Sequence, residues 1–163
     1  MIMRLEDFTP NFLTKFQHRI SNKVRFHEVD SFGVAHNLAY FYWLEVAQTE
    51  YFENLGFDVK PETFTKEFPL LKVHNEIDYF SPLRLGDKYQ VLTRISWIKN
   101  SSFEYQNLVL SQNGNIVAFG KSVLVHINPK TMAAEELPTR FIELVRIFER
   151  GYVEQLKDLN GLE

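Results

Sequence analysis

The sequence predicts an α+β domain: a curled antiparallel sheet of about five strands wrapped round one central apolar helix, with a further helix closing the C-terminal end. Two patterns predict it. Residues 38 to 55, LAYFYWLEVAQTEYFENL, contain neither Gly nor Pro. Their first two turns are apolar nearly all round, which marks a helix wrapped by other structure. Downstream, four alternating runs follow one another mainly through short turns, and short connections imply antiparallel pairing. The 163 residues suit a single domain over 1–163, of a size that buries about 70% of its unfolded surface.

The elements follow in order. Residues 1–18 read as a leader of mixed polarity with a short helix after Thr9-Pro10. From Ile20 to Val29, Val24, Phe26 and Glu28 alternate with Arg25, His27 and Val29, the pattern of a strand. In the central helix Leu44, Ala47, Tyr51 and Leu55 form one stripe, and Gly56 follows as the C-terminal stop. Residues 57–69, with Pro61 and Pro69, form a linker. Strands are expected over 70–80, ending at Ser81-Pro82, then 88–98, 102–111 after Asn100-Ser101, and 115–127 after the hairpin signal Asn113-Gly114. Pro129 stops the last of them. Residues 138–150 begin with Pro138 and space Phe141, Leu144, Val145 and Phe148 helically. No repeat, low-complexity segment or domain break interrupts this order.

Composition narrows the function. Aromatic residues make up 15% of the chain, with 15 Phe, more rings than one small core readily hides; some should line a ligand pocket or a subunit interface. The net charge of −3 gives no bulk attraction to nucleic acid. Cysteine is absent, which excludes disulfides, thiolate metal sites and a Cys nucleophile and suits a reducing cytoplasm. The N-terminal stretch has no continuous apolar core of a secretion signal. No run approaches the ~18 apolar residues of a membrane span.

The chemistry concentrates in VDSFGVAHNLAY, residues 29–40. Asp30 ends a strand-like run before a glycine bend and a helix. It reads either as a turn aspartate bonded to its own backbone or as a nucleophile or general base beside a helix N-terminus, whose free N–H groups hold a developing oxyanion. The second reading expects a buried carboxylate aimed at those amides. Gly33 allows a positive φ and close backbone approach to a ligand. His36 is a proton carrier or a polar capping residue. Asn37 is placed to cap the helix and to present its own N–H to the site.

Other patterns carry less. GNIVAFGKS, residues 114–122, separates its glycines by five residues and alternates like a strand, so it is not a phosphate loop. His74, Glu76 and Asp78 share a strand face that reads as solvated rather than metal-binding. Glu45 and Glu50 on the central helix read either as a second catalytic acid or, more simply, as groups in partner contacts. No G-x-S-x-G elbow is present.

The run VRFHEVDSFGVAHNLAYFYWLEVAQTEYFENLG resembles the hot-dog-fold acyl-CoA thioesterases of the 4-hydroxybenzoyl-CoA thioesterase type, with IDYFSPLRLGD, residues 77–87, in support. In that family a strand ends in Asp, a Gly follows three residues later, and an aromatic opens the central helix ten residues later; here these are Asp30, Gly33 and Tyr40. The resemblance spans about residues 20–150 and implies a hot-dog fold. It implies that Asp30 is the catalytic carboxylate, as nucleophile or base, and that the Asn37 N–H polarises the thioester carbonyl, with Gly33, His36 and Tyr40 at the substrate. One common version of the motif has His seven residues after the Asp; here that place is Asn37 and the histidine is one earlier. No cofactor is implied, since coenzyme A is part of the substrate. A cytoplasmic homodimer or homotetramer is implied, its sheets paired edge to edge and its sites between subunits. Arg84, Arg94, Lys99, Lys121 and Lys130 are candidate contacts for the coenzyme A phosphates, and the acyl group is left open between aromatic and fatty. Two alternatives stand beside hydrolysis. One is a hot-dog enoyl-thioester hydratase or dehydratase, whose Asp and His usually lie five apart with Pro between, against six without Pro here. The other is a non-catalytic acyl-thioester-binding domain.

Overall fold

In the computed structural model, which describes residues 2–157, the strands order themselves β1-β3-β4-β5-β2, with β6 also on β3. They are β1 His18–Lys23, β2 Leu70–Tyr79, β3 Lys88–Ile98, β4 Ser102–Ser111, β5 Ile116–His126 and β6 Glu154–Gln155. All pairings are antiparallel except β3 with β6. The helices are α1 Pro10–Leu13, α2 Asn37–Asn54 and α3 Thr139–Phe148. The hot-dog arrangement stands, with six strands; the two-residue β6 has no periodic signature and lies outside the expected set.

The first strand differs from its expectation. It spans His18–Lys23 instead of reaching Val29, and Phe26–Glu28 form a 3-10 turn. The chain leaves the ladder at Val24, whose N–H donates to the Asp87 carbonyl at 2.9 Å. The Glu28 carboxylate then accepts the Arg25 N–H at 2.7 Å, and this local side-chain bond outcompetes strand pairing. In the leader, Thr9 caps α1 by accepting the Phe12 N–H at 3.2 Å, with Pro10 at the first helical position.

α2 lies against the concave face in two apolar clusters. Its N-terminal half (Ala39, Tyr40, Trp43, Leu44) meets Tyr89, Val91 and Val117; its C-terminal half (Tyr51, Phe52, Leu55) meets Ile95, Phe103 and Phe141. The approach is close: a Cβ on Gly120 would stand 2.5 Å from Leu44 Cδ1. Alternation sends Leu92, Leu108, Leu110 and Phe119 to the other face, where the leader's Phe8 and Phe16 cover them. Phe8 sits edge-on to Phe119 and Phe80 at 5.3 and 5.4 Å. Much of the aromatic surplus is therefore packing rather than pocket.

One face of α2 is bare, against the expectation of an all-round wrap. Leu38, Tyr42 and Val46, spaced four apart, are exposed. β2 ends the sheet order with Leu71, Val73 and Tyr79 exposed as well. Its polar residues behave as a solvated face: His74 lies 3.0 Å and Lys121 3.4 Å from the Glu76 carboxylate.

Candidate active site

The stretch that follows β1 folds into a small hairpin hung on the start of α2. Val29 bridges Ala35, the Asp30 N–H donates to the Val34 carbonyl at 2.9 Å, and the Gly33 N–H to the Asp30 carbonyl at 3.0 Å. Gly33 takes φ +72°, the left-handed conformation for which glycine suits this bend. The Asp30 Oδ1 accepts the Phe32 N–H at 2.8 Å and, more weakly, the Val34 N–H at 3.4 Å. The turn reading of Asp30 is thus realised, with one carboxylate oxygen anchored and Oδ2 bonded to none of the described residues.

Asp30 is not buried in the single chain; it is exposed, as is Phe32 beside it. The exposed part is the hairpin tip, Asp30 to Phe32; Val34 and Ala35 behind it are half-buried and tied to Arg84 and Leu83 of the turn before β3. The expectation of a buried acid is corrected to that extent.

The helix cap is corrected too. His36, not Asn37, is the N-cap: its Nδ1 accepts the Ala39 N–H at 3.1 Å. An accepting Nδ1 carries no hydrogen, so the neutral imidazole has its proton on Nε2, which becomes a donor. Asn37 is the first helical residue. Its amide and that of Leu38 have no acceptor among the described residues, so two free N–H groups stand at the positive end of α2.

Two clefts flank this helix start. A cleft of about 330 Å³ between β1 and α2 is lined by Arg25, His27, Glu28, His36, Trp43 and Tyr89, among others. A shallower one of about 380 Å³ on the opposite side holds Asn37, Tyr40 and Tyr79. Tyr40 is buried, and burial pushes its phenol up to about 12, so it stays protonated. The helix start therefore parts the expected site residues: His36 faces the first cleft, Asn37 and Tyr40 the second, and Asp30 and Gly33 stand in the hairpin outside both. Farther along α2 a third cleft of about 250 Å³ includes Gln48, Phe52, Phe64, Lys72 and Tyr105. Glu45, exposed, faces Lys72 at 3.8 Å.

The five candidate cations separate clearly. Arg94 is buried and donates to the Tyr152 carbonyl at 3.1 Å. Lys121 pairs with Glu76, and Lys99 lies over the Trp97 ring. Lys130 is exposed in the turn after β5. Only Arg84 among the five is brought to the hairpin, by its bridge to Val34. Glu28 escaped the sequence as a functional candidate, and Trp43 was legible there only as one of the rings of residues 40–52, expected as helix packing and pocket lining. Trp43 stacks on Tyr89 at 4.1 Å and 23°, and Glu28 accepts the Trp43 indole N–H at 2.9 Å. The signal was present, since Arg25 and Glu28 have the spacing of a capping pair, but the alternation of residues 24–29 masked it.

Residues 24–145 match the family model of the thioesterase-like superfamily. The chain belongs to that superfamily. It is 31% identical over 119 residues to a 1,4-dihydroxy-2-naphthoyl-CoA hydrolase of Prochlorococcus marinus (strain NATL2A), covering 69% of this chain and 76% of that protein. It is 25% identical over 133 residues to the chloroplastic acyl-acyl carrier protein thioesterase ATL3 of Arabidopsis thaliana, covering 79% of this chain and 70% of that one. Among solved structures, a Thermus thermophilus thioesterase complexed with coenzyme A and Zn superposes with a TM-score of 0.73 at 28% identity, covering 83% of this chain and 96% of that one. This superfamily member is an enzyme of thioester hydrolysis. No helix among its described residues is long and apolar enough to cross a membrane.

Proposed function

We propose that this thioesterase cleaves an acyl-CoA carrying an aromatic acyl group to the free acid and coenzyme A. The observation that carries the reading is the pair of free amides, Asn37 and Leu38, at the end of α2 to which the Asp30 hairpin is tied. A thioester has weak resonance and a good thiolate leaving group, so a carboxylate and aimed N–H dipoles suffice. The carbonyl oxygen turns to the Asn37 N–H, and the negative charge that develops there meets the positive end of the helix. Asp30, oriented through Oδ1, acts through Oδ2. As nucleophile it attacks the carbonyl carbon, expels the thiolate and leaves an anhydride that water opens. As base it takes a proton from the attacking water and returns it to the departing sulfur. Single-turnover hydrolysis in ¹⁸O-labelled water tests the covalent route: water opening the anhydride at the Asp30 carbonyl places label in the protein carboxylate, which the base route never does.

The aromatic acyl group is favoured by the Trp43–Tyr89 stack in the wall of the cleft beside His36, a rigid π surface suited to a ring. The name of the Prochlorococcus marinus relative carries such a group. The bare stripe of α2 and the exposed Leu71, Val73 and Tyr79 of the edge strand β2 support a homodimer in which β2 pairs with its copy and the second chain covers Asp30; a homotetramer would add a further contact. A cytoplasmic location and the absence of any cofactor complete the proposal. The test is thiol release from a panel of aromatic and fatty acyl-CoA esters, with Asp30→Ala beside the unsubstituted chain. Unchanged turnover in the variant overturns the role of Asp30, and faster fatty than aromatic turnover overturns the acyl assignment. Water addition to an enoyl ester or tight binding, without thiol release, would instead point to a hydratase or a binding domain.

A further inference from the structure

We infer that Glu28 is a positioning residue of this thioesterase, holding the Asp30 hairpin, the His36 cap and the Trp43 wall in one arrangement. Three acceptors on this one residue face three different parts of the site. Its Oε2 takes the Arg25 N–H at 2.7 Å and closes the 3-10 turn. Its Oε1 takes the Trp43 indole N–H at 2.9 Å. Its backbone carbonyl takes the His36 N–H at 2.9 Å, and His36 in turn caps α2.

The arrangement matters because the hairpin has few other holds. Beyond its own internal bonds, the Val34–Arg84 bridge, the Ala35 N–H to the Leu83 carbonyl at 2.8 Å and a long Leu85 N–H to the Gly33 carbonyl at 3.3 Å tie it to the turn before β3. Glu28 supplies its side-chain tie to α2, and it does so at Trp43, in the second turn of the helix. The Glu28 carboxylate thereby adds, beside those backbone bonds, a side-chain hold between the base of the Asp30 hairpin and the helix that carries the Asn37 and Leu38 amides. The same bond satisfies a buried indole N–H that would otherwise lack an acceptor and sets the ring that stacks on Tyr89 in the cleft wall. Bonds from a carboxylate to N–H donors are stronger than neutral ones, and a misplacement of about 1 Å at a reacting centre lowers rates by about 100-fold.

Glu28→Gln tests this. The amide keeps one carbonyl oxygen and so can serve either Arg25 or Trp43, not both. Trp43→Phe removes the indole donor from the other side. This inference rests on the thioesterase reading, so activity is paired with two readouts independent of it. Hydrogen exchange reports the amides of Phe32, Gly33 and Val34. Emission of Trp43 is read in a Trp97→Phe background, since the chain has 2 Trp. The expected result for Glu28→Gln is kcat about 10- to 100-fold lower with KM changed far less, faster exchange at the hairpin amides and a red-shifted Trp43 emission. Trp43→Phe should lower kcat as well, and the double variant should be no worse than the poorer single one. Unchanged kcat, or unchanged exchange at the hairpin, overturns the inference; so does a lowered Tm with kcat per folded molecule intact. If the unsubstituted chain releases no thiol, the thioesterase reading falls instead, and exchange and emission still decide whether Glu28 holds the hairpin.

Discussion

The Tyr51 phenol donates to Glu149 Oε1 at 2.5 Å, and the same oxygen accepts the Ile95 amide at 2.8 Å. Glu149 is fully buried, just past the end of α3, and fills the stretch of β3 edge between β1, which pairs as far as Thr93, and β6, which begins at Trp97. A carboxylate thereby takes the place of a strand's carbonyl for the Ile95 amide, within the run Arg94 to Ser96 that neither neighbour pairs.

This position predicts a pH dependence. Burial pushes the Glu149 carboxyl from 4.5 up to about 7, outweighing the pull of Tyr51, Ile95 and Arg94 in the other direction. The folded state thus binds the proton more tightly than the unfolded chain. The stability this contributes is complete below pH about 4.5 and is lost as pH rises through about 7, a span of about 3 kcal/mol. Urea midpoints from pH 4.5 to 8 should show the fall, over whatever slope other groups add, and Glu149→Gln should flatten it. An unaltered slope in the variant assigns the titration elsewhere.

For the hairpin, Asp30→Asn keeps an oxygen for the Phe32 and Val34 amides while removing the charge. Turnover should drop at least about 100-fold with Tm within about 1 °C of the parent, because the exposed turn is preserved. Near-parental kcat from this variant would remove the carboxylate from the reaction.

At the helix–sheet contact, Gly120→Ala places a methyl against Leu44 and 3.2 Å from the Glu76 carbonyl. Leu44 can rotate but the strand backbone cannot, so a loss of about 1–3 kcal/mol is expected. Chemical denaturation measures it; a neutral result would mean that α2 lifts away without cost.

On the outer face, Phe8→Ala opens a gap among Phe12, Phe80 and Phe119 and should cost about 3 kcal/mol or somewhat less, Phe8 lying at the rim of the layer. Thermal unfolding reads this directly, and a change under about 0.5 kcal/mol on that scale would show that the leader is only loosely applied.

For assembly, Val73→Lys puts a charge on the exposed β2 edge, the usual protection against strand addition. If two copies pair through β2, light scattering should find the variant monomeric and its thiol release reduced. A variant of unchanged mass places the interface elsewhere.

Much of this molecule was readable in the chain. The Gly- and Pro-free run from Leu38 to Leu55 specified a helix because no breaker interrupts it, and Asn113-Gly114 and Ser81-Pro82 bounded strands because few backbones suit those residues. The Asp30–Gly33 bend was legible for the same local reason. The end of β1 was not. Alternation through Val29 satisfies the strand pattern, yet a Glu28 carboxylate reaching back to the Arg25 amide closes a tighter turn, and periodicity does not register that competition. Nor could spacing choose between His36 and Asn37 as cap, since either residue supplies an acceptor at the helix start and the bond to Ala39 depends on how the preceding hairpin enters.

By itself the sequence determined which segments become helix and strand, and that a carboxylate would precede the central helix, because these follow from contacts within a few residues. The tertiary structure alone decided that Glu28 would meet Trp43, that Glu149 would complete the β3 edge, and that Asp30 would stand exposed on one chain. Those outcomes join residues distant in sequence or depend on which segments fold over a site, and they are set by how the sheet curls round α2.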